Sequence, residues 1–129
     1  MPRVKYWRDE SLEVLVKDIA ATLGFEHINA YRIVCVRSKG SKTNAYARIW
    51  AFPRIFQVAL DIGPFYVIEF IEENFSKLSE KEKIKTIIHE LLHIPKSFSG
   101  SILGHRQGRI TERREELLYR EYIQRKKGF

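Results

Sequence analysis

Cysteine is nearly absent from this chain, since Cys35 is the only one among 129 residues. A lone thiol cannot form an internal disulfide, which excludes the small disulfide-stapled domains typical of secreted proteins. We therefore expect a reducing, cytoplasmic setting. Cys35 lies in the apolar run Arg32-Ile33-Val34-Cys35-Val36, and we interpret it as a buried core residue rather than a nucleophile.

Long apolar runs are missing as well, so the sequence predicts no membrane-spanning helix and no membrane partner. The charged segment from Met1 to Arg8 is not followed by the apolar stretch of a signal peptide. Disorder is excluded too, because 44% of the residues are hydrophobic and 12% are aromatic. A chain of this length most simply forms one domain, residues 1–129.

Positive charge exceeds negative charge, and the net charge is +7 at neutral pH. Such an excess attracts acidic partners but does not identify them. The basic residues of the C-terminal third alternate with glutamates, as on a solvated helix face, and no nucleic-acid recognition motif accompanies them. Nucleic acid is therefore an alternative partner on charge alone. The residues concerned are Arg106, Arg109, Arg113, Arg114, Arg120, Arg125, Lys126 and Lys127.

Periodicity and capping residues predict an α+β domain, with a short and mostly antiparallel sheet packed against helices. The predicted helices run from Asp9 or Ser11 to Leu23, from Pro53 to Gly63, from Glu80 to a stop at Pro95, and from Thr111 to Lys126. The predicted strands are 31–37, 45–52 and 65–71, of which the first two should form a hairpin. The helix after Pro53 should bury an apolar face made of Ile55, Phe56, Ala59 and Leu60.

The segment from Thr86 to Ile94 contains the pattern His89-Glu90-x-x-His93 within an apolar, helix-forming run. Two histidines four residues apart share one helix face, so both imidazoles can reach one Zn²⁺. Glu90 is rotated about 100° further round the helix, where it can hold a water at the open metal position and take its proton. The pattern therefore predicts a catalytic zinc site.

A helix whose two histidines merely lie at a buried edge is the simpler alternative. The neighbouring residues make the helix apolar almost all round, so it should be buried. Burying two imidazoles and a carboxylate without partners would be costly, and a shared metal with a bound water removes that cost. We therefore favour the metal site. The apolar neighbours are Ile87, Ile88, Leu91, Leu92 and Ile94.

The third metal ligand is not fixed by the motif, although catalytic zinc usually has three protein ligands. The extended metzincin pattern needs glycine at position 96 and histidine at position 99. This chain has Lys96 and Ser99, so that class is excluded. His105, in the glycine-containing loop after Pro95, is one candidate. The other candidates are the glutamates of the last helix, Glu112, Glu115 and Glu116.

The run Ile87–Pro95, followed by Phe98-Ser99-Gly100 and Gly104-His105, resembles the minimal metallopeptidases of archaea and phages. These have an H-E-L-x-H-I-P core, then F-x-G and a downstream histidine. The likeness extends upstream through 53–57 and 66–69, and the layout is distantly similar to SprT-like zincins. The resemblance implies a zincin-like fold with the motif on the active-site helix, and it implies His105 as third ligand. One departure is Leu103-Gly104, where the family usually has a basic residue.

Motif and resemblance together predict a zinc-dependent metallopeptidase that acts on protein or peptide substrates. One Zn²⁺ per chain would be bound by His89, His93 and His105, with Glu90 as general base. Two alternatives are a basic, metal-stabilised nucleic-acid-binding module and a protease acting on nucleic-acid-bound proteins. A structural zinc needs a fourth protein ligand, and the only thiol, Cys35, lies far upstream, which favours the enzyme.

Several further positions have a structural and a functional interpretation. Strand 65–71 is either an ordinary sheet strand or the strand that binds the substrate backbone by β-addition. Glu69, within it, could orient a ligand histidine, but we expect it to face solvent. Tyr119 and Tyr122 could donate a hydroxyl to the reaction, although their helical spacing with Leu118 favours the core.

Overall fold

The computed structural model of the chain describes residues 3–105 and 110–128. In these ranges the fold is α+β, as predicted, with a four-stranded mixed sheet and five helices. The strands are β1 (Lys5–Arg8), β2 (Ile33–Lys39), β3 (Ala47–Ala51) and β4 (Tyr66–Ile71). The helices are α1 (Glu10–Thr22), α2 (Arg54–Leu60), α3 (Glu72–Phe75), α4 (Glu80–Leu92) and α5 (Glu112–Lys126).

The strand order in the sheet is β1-β2-β4-β3. β2 and β4 are parallel, whereas β1 pairs with β2 and β3 pairs with β4 in antiparallel fashion. The predicted hairpin between strands 31–37 and 45–52 is therefore wrong, because β4 lies between them. β4 is almost entirely buried, and the central place gives its backbone hydrogen-bonding partners on both edges.

The core lies between one face of the sheet and the helices α1, α4 and α5. Side chains alternate between the two faces of a sheet, and the paired residues Cys35, Ile68 and Ile49 of adjacent strands all point to that face. Ile19 of α1 and Ile87 of α4 are fully buried against the same cluster. Each such side chain contributes roughly 1.5–3 kcal/mol of transfer free energy, so α4 is firmly attached to the sheet.

Three helices begin where the sequence predicts, each with a side-chain cap. Asp9 Oδ1 accepts from the Leu12 amide at 3.1 Å, and Ser79 Oγ accepts from the Glu82 amide at 3.2 Å. Thr111 Oγ1 accepts from the Arg114 amide at 3.1 Å. Caps are local signals, and these three set the starts of α1, α4 and α5.

Two elements escaped the sequence prediction, and one helix differs from it. β1 has four exposed residues and α3 spans a single turn, so neither has a clear apolar period. α2 was expected to bury an apolar face, but none of its residues is buried. It ends at Asp61, which has a left-handed φ of 52°, rather than at Gly63. None of the helices in the described ranges is long and apolar enough to cross a membrane.

Glu69 was expected to face solvent, and this was wrong. It lies on the sheet face opposite the helices, yet only 3% of it is exposed. Its carboxylate accepts hydrogen bonds from Ser38 Oγ at 2.6 Å, Trp50 Nε1 at 2.8 Å and Arg48 Nη2 at 3.1 Å. Burial alone would raise the pKa of Glu69, but these donors outweigh it and lower the pKa.

Candidate metal centre

The end of α4 positions the first two histidines. Glu90 and His89 lie in its last turn, and His93 is the residue that caps it. The helix stops there because Pro95 disfavours helical backbone at the residue before it. His89 and His93 direct their Nε2 atoms towards each other, 3.4 Å apart.

The loop after α4 returns over the helix end and brings His105 to the same point. His105 Nε2 lies 3.1 Å from His89 Nε2. The ligand atoms of His89, His93 and His105 all lie within 4.8 Å of one another. The structure thus brings together the three histidines that the sequence analysis singled out.

His93 is held from behind by the backbone of the returning loop. Its Nδ1 donates to the Leu103 carbonyl at 2.5 Å, and the Leu103 amide donates to the His93 carbonyl at 2.7 Å. A carbonyl only accepts, so the proton is on Nδ1 and Nε2 carries a lone pair. Burial lowers the pKa of His93, which favours this neutral form.

His89 is held from behind by the last helix. Its Nδ1 lies 2.9 Å from Glu115 Oε2, and the Glu115 side chain is only 16% exposed. This hydrogen bond raises the pKa of His89 and would make the imidazole a more basic donor to a metal ion. The Nε2 of His89 is consequently directed into the histidine cluster, as it is in His93.

The donor set fits a divalent metal ion. Lone pairs facing each other at 3.4 Å between His89 and His93 repel unless a cation or proton lies between them. In a tetrahedral site with Zn–N bonds of about 2.0–2.1 Å, the ligand nitrogens lie about 3.3 Å apart. Two of the three separations, 3.1 and 3.4 Å, are close to that value, and the third is within 4.8 Å.

Glu90 lies beside the histidines but does not belong to their cluster. It is 5% exposed, and its Oε2 is buried without a hydrogen-bond partner among the described residues. Burial raises the pKa of this carboxyl to about 7. Such an orphaned carboxylate is costly unless a water or a substrate group occupies the space next to it.

The histidines and Glu90 open into a cleft of about 540 Å³. One wall is residues 45–49, at the start of β3, and the other is the face of α4 that carries His89. β3 is the last strand of the sheet, and no strand within the described part of the chain pairs with its outer edge. β4 is paired on both edges, which removes strand 65–71 as the strand that binds substrate by β-addition.

The comparison with known families agrees with this geometry. A family model described as "Putative phage metallopeptidase" matches residues 4–120 of the chain. The chain belongs to this phage metallopeptidase family. No curated protein and no solved structure matches the chain significantly.

Membership of the metallopeptidase family supports metal binding by the histidine cluster and hydrolysis in the cleft.

The late glutamates, which were the other candidates for the third metal ligand, have different partners. Glu115 contacts His89 through the outer ring nitrogen, and Glu116 forms ion pairs with Lys81 and Lys85. Glu112 lies exposed in the first turn of α5. The late glutamates are thus outside the cluster of ring nitrogens.

The tyrosines of α5 lie outside the cleft of this metallopeptidase. Tyr122 is buried, and its hydroxyl donates to Asp18 Oδ2 at 2.5 Å. Tyr119 is partly buried and packs against the core. The core interpretation of both is therefore the better one.

Two groups at the site were not recognised in the sequence. Lys85 is 8% exposed and lines the cleft, with its Nζ 3.4 Å from Glu116 Oε1. Its position four residues before His89 was a usable signal, because it puts Lys85 on the same helix face. The Leu103 carbonyl had no such signal, since a backbone contact leaves no residue type to recognise.

Proposed function

We propose that this metallopeptidase is zinc-dependent and zincin-like in its site, with His89, His93 and His105 as metal ligands and Glu90 as general base. The convergence of three ring nitrogens within 4.8 Å carries this assignment. Imidazole nitrogens suit zinc, whereas magnesium and calcium prefer sites built from oxygen ligands. The family membership supports hydrolysis of a peptide bond as the reaction class.

A catalytic rather than a structural metal is supported by the number of ligands. Structural zinc normally has four protein ligands, whereas catalytic zinc has three and an open position. The clustered donors within residues 3–105 and 110–128 are three histidines. The adjacent Glu90, with an unpartnered buried oxygen, is then available for the reaction itself.

Bound zinc would lower the pKa of a water molecule and polarise the substrate carbonyl. Glu90 accepts the proton of the attacking water and later delivers it to the leaving amine. Burial raises the pKa of Glu90 above that of an ordinary carboxyl, which makes the carboxylate a stronger base for the water proton. Leu103 and Glu115 keep His93 and His89 in the required tautomer.

Substrate binding fits the outer edge of β3. An extended peptide paired there would use main-chain hydrogen bonds, which do not depend on sequence. The cleft between β3 and α4 is of the size that holds a short peptide segment. Its lining combines the apolar Ile49 and Ile102 with the charged Glu82 and Lys85, so the cleft can contact both apolar and polar side chains of a substrate.

The decisive experiment separates metal binding from hydrolysis in one variant. Glu90→Gln should retain one zinc per chain by mass spectrometry and lose at least about 100-fold in hydrolysis of a peptide library. Glu112→Gln, an exposed glutamate of α5, is the matched control and should behave like the parent. Full hydrolysis by the Glu90→Gln protein would exclude this mechanism, and absence of metal from the zinc-supplied parent would exclude the function.

A further inference from the structure

α2 and the residues after it present an apolar surface to solvent. Five large side chains there are between 45% and 73% exposed, and no residue of α2 is buried. Isolated exposed apolar residues are ordinary, but a contiguous group usually marks an interaction site. We name this group the apolar platform, and its residues are Ile55, Phe56, Val58, Leu60 and Ile62.

The platform is fixed to the loop that returns over the metal centre. Gln57 Nε2 donates to the Phe52 carbonyl at 2.9 Å and lies 3.5 Å from the Ser99 carbonyl. Gly100, with φ +98°, lets that loop come so close that an added Cβ would lie 2.5 Å from Gln57 Nε2. The loop continues to Ile102 and His105, which line the cleft. The apolar platform and the cleft are therefore connected through this loop.

The platform also continues the wall of the cleft. β3 residues up to Ile49 line the cleft, and only Phe52 and Pro53 separate the end of β3 from α2. β3 ends at Ala51, and the five backbone steps from Ile49 to Arg54 span at most about 17 Å. A peptide that follows the β3 edge therefore reaches the platform roughly four to six residues beyond the cleft.

The charge of the platform points to the chemistry of its partner. Arg54 and Asp61, at its ends, are opposite in sign, and the guanidinium of Arg32 lies next to Gly63, so these charges leave an excess of one positive charge. Phosphate backbones and anionic lipid headgroups are recognised by clusters of positive charge, which one excess charge does not provide. A helix that lies on a membrane has a polar face, whereas α2 exposes apolar residues at 55, 56, 58 and 60.

We infer that the apolar platform is an exosite for an apolar segment of the substrate protein, which rests on the function proposed above. The preferred substrates are extended or unfolded chains with several apolar residues about four to six positions from the cleaved bond. The cleft supplies sequence-tolerant backbone binding, and the platform supplies the selection for apolar, normally buried segments.

The test measures binding without hydrolysis, in the zinc-loaded Glu90→Gln protein. The probes are fluorescein-labelled β-casein, as an unfolded protein, and a labelled Gly-Ser peptide as the polar reference, both followed by fluorescence anisotropy. Ile55→Ser combined with Val58→Ser should raise the Kd for casein roughly tenfold. Val14→Ser combined with Leu117→Ser, which alters other exposed apolar residues on α1 and α5, should change it less than twofold.

Three results would overturn the exosite. One is an unchanged casein Kd in the platform variant. The second is a parent dimer, seen by sedimentation, that the platform variant abolishes without a change in casein affinity. The third is binding to neutral phosphatidylcholine vesicles that depends on the platform while casein affinity does not. Casein hydrolysis by the parent tests the proposed function separately, because binding and its dependence on the platform are measured in an inactive protein.

Discussion

The carboxylate of Glu115 lies 2.9 Å from Nδ1 of His89, so the last helix directly orients a residue of the metal motif. The two residues are 26 positions apart in the chain. The contact fixes which ring nitrogen is free, and it couples the packing of α5 on α4 to the geometry of the histidine cluster. Metal affinity should therefore depend on a residue that is not itself a ligand.

Glu115→Gln tests this dependence. The amide oxygen can still accept from His89 but carries no charge, so the imidazole becomes a weaker ligand. We expect zinc affinity to fall roughly 10–100-fold, measured by competition with a chromophoric chelator. Glu112→Gln serves as control on the same helix. Unchanged affinity in Glu115→Gln would mean that the contact is only structural.

His105→Ala should weaken zinc binding more than Glu115→Gln does. Loss of a ligand removes a metal bond, whereas loss of the hydrogen-bond partner behind a ligand lowers metal affinity only roughly 10–100-fold. Glu116→Ala tests the competing assignment, because Glu116 pairs with Lys81 and Lys85 instead of the histidines. Zinc retained in His105→Ala and lost in Glu116→Ala would reverse the choice of third ligand.

Local signals in the sequence predicted the local parts of the site. The positions of His89, Glu90 and His93 follow from helical spacing, and the cap at Ser79 predicts where their helix starts. Such signals involve residues within one or two turns of each other. They carry over to the structure because α4 is a regular, buried helix.

The sequence did not predict contacts between residues that are far apart in the chain. Strand order depends on how much apolar surface each strand buries against its neighbours. This burial depends on contacts among β2, β3 and β4, which the sequence of one strand does not show. The burial of Glu69 likewise depends on partners at positions 38, 48 and 50. Its place within an apolar strand suggested an outward-facing residue, because alternation does not reveal partners on neighbouring strands.

Cys35 should be chemically silent in the folded protein. It is completely buried, and burial raises the pKa of its thiol to about 12. The thiolate is the reactive form, so at pH 8 we expect no reaction with a disulfide reagent such as Ellman's reagent over minutes. One thiol per chain should react after denaturation. Rapid labelling of the native protein would show that the sheet opens near β2.

Folding stability should depend on pH through Asp9, the cap of α1. Burial alone would raise its pKa, but hydrogen bonds from Ser11, Arg37 and the Leu12 amide lower it to about 2. In the unfolded chain an aspartate has a pKa of about 3.9. A lowered pKa in the folded state means that the ionised form adds stability above about pH 4, and this is lost as pH falls towards 2.

Asp9→Ala should therefore lower the free energy of unfolding by roughly 1–2 kcal/mol at pH 7, as measured by urea denaturation. The difference between variant and parent should shrink as pH falls from 4 towards 2, because the parent loses the same interactions by protonation. Glu10→Ala, in the first turn of α1 and exposed, should produce a much smaller change at pH 7. If the Asp9→Ala deficit stayed constant down to pH 2, the loss would come from packing and not from the charge of the cap.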